Sequence, residues 1–94
     1  MLSQFDNAPV YGRLRVTCEP DPGLPCRLLD LFAARGVLPL AVDLRQDPRH
    51  AHLTLRVDAL MGAHDWAILC AKAAQAVGVL QLEQDTAVVV ADAA

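Results

Sequence analysis

Three stretches of this chain alternate apolar and polar residues one for one, and that period of two allows little except strands with one buried face. From Gly12 to Cys18, Leu14, Val16 and Cys18 point one way, and Arg13, Arg15 and Thr17 the other. Leu38, Leu40, Val42 and Leu44 alternate with Pro39, Ala41, Asp43 and Arg45, and Leu53, Leu55 and Val57 with His52, Thr54, Arg56 and Asp58. Asp47-Pro48-Arg49-His50 between the last two has Asp and Pro where a type I turn favours them, which predicts a hairpin. Pro39 has no N–H to give to a ladder and predicts an edge position for the second strand.

The intervening segments carry a helical period. Leu24, Leu28, Leu31, Phe32 and Arg35 recur at helix spacing, Pro25 is tolerated only in a first turn, and Gly36 stands where a left-handed cap belongs. After Gly62, Trp66, Leu69, Cys70, Ala73 and Val77 mark one face of a second helix, with Gly78 just past its end. Val79 to Glu83 reads as a short strand with Leu80 and Leu82 inward, and Thr86 to Val90 as an extra strand or an apolar tail. The order strand, helix, strand, strand, helix, strand predicts an α+β, ferredoxin-like βαββαβ fold, with two helices on one face of an antiparallel sheet and the second strand at an edge. Residues 11–84 are the expected domain, 1–10 an N-terminal extension, and 85–94 a tail or short extra strand.

Composition narrows the class. Ninety-four residues hold one domain, and a core this small gains from a second copy. Apolar residues make up 54% of the chain and aromatics 4%, so the core is aliphatic and the chain is built to fold. A net charge of −3 disfavours nucleic acid, and no apolar run approaches the length of a membrane span. The first residues lack the basic and apolar regions of a secretory signal, which leaves a cytoplasmic location as the expectation. Cys18, Cys26 and Cys70 form no C-x-x-C and are expected to be buried thiols.

Little in the sequence points to catalysis or to a cofactor. His50 and His52 would share a strand face, but no third metal ligand stands at a useful spacing, and His64 lies in another segment. The only serine is Ser3 and the only asparagine is Asn7, which precedes the strands, so an acylphosphatase-like site with Asn in the sheet has no residue to use. The open sheet face gathers Arg13, Arg15, Arg45 and Arg56 with Thr17, Thr54 and His52 into an expected basic, partner-binding surface. RNA-binding sheets of this topology stack bases on aromatics, and here only Tyr11 is placed for that. The remaining candidate is the loop Pro20-Asp21-Pro22-Gly23-Leu24. Gly23 leaves room for close approach, and the unpaired N–H groups of a helix start suit a carboxylate.

Read together, Pro22, Gly23, Arg27, Leu31, Phe32, Arg35 and Gly36 resemble the ACT domain of acetolactate synthase small (regulatory) subunits, whose pattern is P-G-x-L-x-R-(apolar)-x-x-L-F-x-R-R-G-(apolar). Ala76-Val77-Gly78-Val79-Leu80 is similar to that family's closing L-V-D-V-(apolar) segment, and the resemblance extends over roughly residues 12–83. It implies a non-catalytic regulator without a cofactor, a homodimer with sheets joined side by side, a branched-chain amino acid bound between protomers, and a thiamine-diphosphate-dependent catalytic large subunit as partner. The ligand-binding positions it implies are Asp21, Gly23, Leu24, Pro25, Leu38 and Pro39. Pro20 and Leu38 stand where the family carries Asn, and both departures favour as an alternative a stand-alone sensor or a structural dimer with no branched-chain ligand.

Overall fold

The computed structural model describes residues 7–49 and 51–89. Its elements are β1 (Pro9–Cys18), α1 (Gly23–Ala33), β2 (Ala41–Asp47), β3 (His52–Gly62), α2 (Ala63–Ala74) and β4 (Val79–Val88). The strands form one sheet in the order β2-β3-β1-β4, every neighbouring pair antiparallel, as the βαββαβ reading requires.

The core lies between the sheet and its two helices. Val10, Leu14, Val16 and Cys18 of β1 and Leu55, Val57, Ala59 and Met61 of β3 face Leu24, Leu28 and Phe32 of α1 and Trp66, Leu69, Cys70 and Ala73 of α2. No polar or charged residue is buried among those described. Burial of each large side chain contributes about 1.5–3 kcal/mol, so two central strands and one face of each helix supply most of the driving force.

Two contacts set how the helices sit. At Gly12 a Cβ would come within 2.6 Å of three Trp66 ring atoms, so the missing side chain is what lets the indole lie on β1. Trp66 Nε1 donates to Gln84 Oε1 of β4 at 2.9 Å, and the ring meets Phe32 of α1 at a centroid distance of 6.5 Å. The indole therefore touches β1, β4 and α1 from its own helix. At the end of α1, Gly36 has φ +70°, Val37 N–H donates to Phe32 O at 3.0 Å and Gly36 N–H to Ala33 O at 2.9 Å. This is the paired bonding of a Schellman cap, and it places Val37 against the core.

Several boundaries differ from the sequence reading, each for a local reason. β1 begins at Pro9 and β3 runs on to Gly62, pairing Pro9 with Gly62, so residues assigned to an extension belong to the sheet. The added part of β3 still alternates, with Ala59 and Met61 buried, but Leu60 stands exposed where a polar residue would have marked the pattern. β2 begins at Ala41, which leaves Leu38 and Pro39 in the connection from α1, while the edge position of the strand holds. α2 ends at Ala74, and Val77 is 89% exposed rather than on its inner face. An irregularity opposite Thr17 and Cys18 inserts one residue into β4, so Val79 pairs with Cys18 and Leu82 with Val16 while Leu80 turns outward. Thr86 to Val88 continue β4 without a break; Val90, the end of the expected extra strand, lies outside the described residues.

The hairpin forms through Asp47. Its Oδ1 accepts the Arg49 N–H at 2.8 Å and its carbonyl the Ala51 N–H at 2.8 Å. His50 lies outside the described residues.

Candidate functional site

The loop between β1 and α1 is held at both ends by backbone. Glu19 N–H donates to Gly78 O at 2.9 Å, and Leu24 N–H to Asp21 O at 3.0 Å. Asp21 organises what lies between. Its Oδ1 accepts the Gly23 N–H at 2.9 Å, its Oδ2 an Arg27 Nη2 bond at 3.1 Å, and both side chains remain half exposed. The Gly23 N–H and the Arg27 guanidinium together hold this carboxyl below the usual carboxylate range.

This arrangement corrects one expectation. The helix start does not offer bare donors to a ligand, because Asp21 engages the N–H groups of Gly23 and Leu24, and Pro25 has none. A ligand carboxylate at this position would replace the Asp21 carboxylate, whose exposure and pairing with Arg27 make the exchange one of like for like. Gly23 serves the same geometry, since a Cβ there would lie 2.9 Å from Arg27 Nη1. Leu24 and Pro25 are buried in the core and present backbone only.

Leu38 and Pro39 are not brought to this loop within one chain. Gly23 opens α1 and they follow its far end, and a helix of 11 residues at 1.5 Å per residue separates the two by about 16 Å. Leu38 instead begins an apolar strip along the sheet edge, in which Leu38 is 88%, Leu40 61%, Val42 48% and Leu44 51% exposed. Val42 and Leu44 point to the helix side of the sheet, but the helices cover β1 and β3 and leave β2 open. An unpaired strand edge with exposed apolar side chains is a template for pairing with another chain.

The third region is the open sheet face. Arg13, Arg15, Arg45 and Arg56 all lie on it, as expected, but they do not make it basic. The strand registers place Asp43, Asp47, Asp58, Glu83 and Asp85 on the same face, so carboxylates match the arginines. Arg13 Nε bonds Asp58 at 2.9 Å, and Arg45 Nε bonds Asp43 at 2.9 Å. The Arg13 bond lowers the Asp58 pKa, with a smaller contribution from Arg56, and raises that of Arg13 in turn. A cavity of about 390 Å³ opens here beside Tyr11, Arg13, Leu40, Asp58 and Asp85. A second, of about 310 Å³, lies between the helices beside Leu31, Arg35, Asp65 and Lys72.

Sequence reasoning missed three roles. Arg27 and Arg35, which carry part of the family pattern, both serve internal ion pairs, Arg27 with Asp21 and Arg35 with Asp65 at 2.7 Å across the helices. Asn7 caps α2 from 58 residues away, its Oδ1 accepting the Asp65 N–H at 3.2 Å. Cys26 is exposed on α1, whereas Cys18 and Cys70 are buried as expected. Among the described residues no group of three or more His, Cys, Asp or Glu is placed to hold a metal ion, and no helix is long and apolar enough to cross a membrane.

A family model, the ACT-like domain, matches residues 5–90 of the chain. Among solved structures the fold is similar to a homoserine dehydrogenase from Thiobacillus denitrificans, with TM-score 0.72 and 11% identity over 86% of this chain and 18% of that one. It is also similar to the ACT domain from the GTP pyrophosphokinase of Chlorobium tepidum, with TM-score 0.66 and 14% identity over 80% of this chain and 95% of that one. The C-terminal domain of the MgtC protein from Mycobacterium tuberculosis gives TM-score 0.66 and 14% identity over 87% and 89%. This chain therefore spans less than a fifth of the homoserine dehydrogenase and nearly all of the other two, and at these identities the likeness is one of fold. No curated protein sequence matches it.

Proposed function

We propose that this chain, which belongs to the ACT-like domain family, is a non-catalytic regulatory module that dimerises along β2 and binds a small amino acid where the Asp21–Gly23 loop of one copy meets the Leu38–Pro39 connection of the other. The carrying observation is the pairing of that loop, already shaped around a carboxylate, with an open apolar strand edge in the same chain. An amino acid would set its carboxylate on the Gly23 N–H and Arg27, releasing Asp21 to receive its ammonium group. Binding across two copies favours the paired state over any other, and that differential affinity is the means by which such a module biases an attached enzyme.

The finer reading is a small regulatory subunit of acetolactate synthase that senses a branched-chain amino acid. Its support is the pattern from Pro22 to Gly36, and the apolar strip at Leu38 and Leu40, which suits an aliphatic side chain. The neighbours in fold include parts of a homoserine dehydrogenase and of a GTP pyrophosphokinase, enzymes to which a module of this kind is attached.

The test combines sedimentation velocity with thermal melting in each of the common amino acids. Ligand at about 100 times its Kd adds about 2.7 kcal/mol, or roughly 10–20 °C in Tm for a domain of this size. A dimer at micromolar concentration that melts higher with valine, leucine or isoleucine is expected. A dimer stabilised by another amino acid replaces the branched-chain reading with a different sensor, and a dimer stabilised by none makes the protein a structural dimer. Pro20, standing where the family carries Asn, is what speaks for this last outcome. A monomer indifferent to all of them would overturn the proposal.

A further inference from the structure

The open face of the sheet carries a group of donors that make no ion pair or side-chain hydrogen bond within the fold. In the register of β1 with β3, Arg15 stands directly opposite Arg56, and the next pair on the same face is Thr17 with Thr54. Like charges directly opposite on neighbouring strands repel, and a sheet that keeps such a pair in its two central strands gains nothing from it internally. Two of the nearby carboxylates are committed to other arginines. Asp43, opposite Arg56 on β2, bonds Arg45, and Asp58 bonds Arg13. Glu83 stands opposite Arg15 on β4 without forming an ion pair. Arg56 Nε is shut off from solvent and has no hydrogen-bond partner, whereas most such buried donors are satisfied. Among the described residues, neither Arg15 nor Arg56 is in an ion pair, and neither threonine hydroxyl is engaged.

We propose that Arg15, Arg56, Thr17 and Thr54 form a binding site for an oxyanion, the carboxylate or phosphate group of a small ligand, on the face of the sheet away from the helices. The register sets two guanidinium groups and two hydroxyls side by side on adjacent strands, the kind of donor set that recognises planar and tetrahedral oxyanions. A bound anion removes the repulsion between the arginines, and a small rotation of the Arg56 side chain turns its Nε–H onto the new acceptor. The site is independent of the Asp21 loop, which lies at the end of β1 and opens α1. The amino-acid reading and the oxyanion reading therefore stand or fall separately.

The experiment follows the arginine Nε–Hε resonances of the ¹⁵N-labelled chain during titration with sodium phosphate and, separately, sodium malonate, against sodium chloride at matched ionic strength. Saturable movement of the Arg15 and Arg56 signals at millimolar phosphate or malonate, beyond the chloride effect, is expected. Response to phosphate alone identifies a phosphate ligand, response to malonate alone a carboxylate, and response to both the shared oxyanion chemistry. Arg15→Gln and Arg56→Gln should each weaken binding at least tenfold, while Lys72→Gln on α2 leaves it unchanged. Arg15 is exposed, so its variant keeps the test valid should Arg56→Gln unfold. No movement beyond chloride, or equal affinity in the arginine variants, would overturn the proposal.

Discussion

Replacing Gly12 with Ala tests the packing on which the helix layer depends. The new Cβ would lie 2.6 Å from three atoms of the Trp66 ring, a separation at which the ring or the strand must move. Overpacking of this kind costs about 1–3 kcal/mol. Displacing the indole also breaks its 2.9 Å bond to Gln84, worth about 1 kcal/mol. Against this, Ala lowers the entropy of the unfolded chain and returns about 0.4–1 kcal/mol. The net loss is about 1–3.6 kcal/mol, or roughly 4–29 °C in Tm at about 4–8 °C per kcal/mol. Urea unfolding followed by far-ultraviolet circular dichroism measures it directly. A second variant separates this cause from loss of strand propensity: in Trp66→Leu the offending ring is gone, so adding Gly12→Ala to it should cost less than half as much as in the natural chain. If Gly12→Ala melts within 2 °C of the natural protein, or costs as much with Leu at 66, the indole does not lie on Gly12 and the helix placement drawn from it is wrong.

Three further outcomes follow from named contacts. Asn7→Ala removes the cap of α2 and should cost about 1 kcal/mol in urea unfolding; an unchanged midpoint would remove Asn7 from the helix start. Asp21 and Asp58 both have depressed folded pKa values, so the stability they contribute is fully present above the unfolded carboxylate value near ~3.9 and is lost as pH falls through the folded values. Stability measured from pH 6 down to pH 2 should therefore fall less steeply below pH 4 in Asp58→Asn than in the natural protein, and identical slopes would refute the Arg13 pairing. Cys26 should react with a thiol reagent in the native protein while Cys18 and Cys70 react only on unfolding, because burial raises both thiols, that of Cys70 to about 11.

How much of the fold the residues disclose on their own follows from how far each signal reaches along the chain. The alternation at Leu14, Val16 and Cys18 and the turn at Gly36 depend on the nearest few residues, and both are in place. The outward turn of Leu80 depends on an irregularity in how β4 meets β1, which no window on β4 contains. The Asn7 cap joins residues 58 apart, and its sequence signal, a capping side chain, stands nowhere near the helix it serves. At the candidate loop a local signal did exist: Asp followed two residues later by Gly is the pattern of an Asx turn, which predicts the carboxylate-to-Gly23 bond that occupies the helix start. On the open face, which arginines are paired is a matter of register alone. Arg13 faces Asp58 and Arg15 faces Arg56; sliding β3 by two residues would set Arg15 against Asp58 and leave Arg13 opposite Leu60. The same composition would then give a different set of unspent donors.

That sensitivity also explains how a shared fold is kept at 11–14% identity. Every residue of the described core is apolar, and the sheet presents it through alternate positions of β1 and β3. The positions between them, from Tyr11 to Thr17 and from Thr54 to Leu60, make no demand on the core, so they change without disturbing it. Register, once fixed by the apolar half of each strand, then dictates which of the free residues meet. Arg15 and Arg56 are neighbours because Leu14 pairs with Val57 and Val16 with Leu55. In this chain the core selects the geometry of both proposed sites while leaving their chemistry open, which is why the proposals rest on the loop at Asp21 and on the open face rather than on the βαββαβ plan.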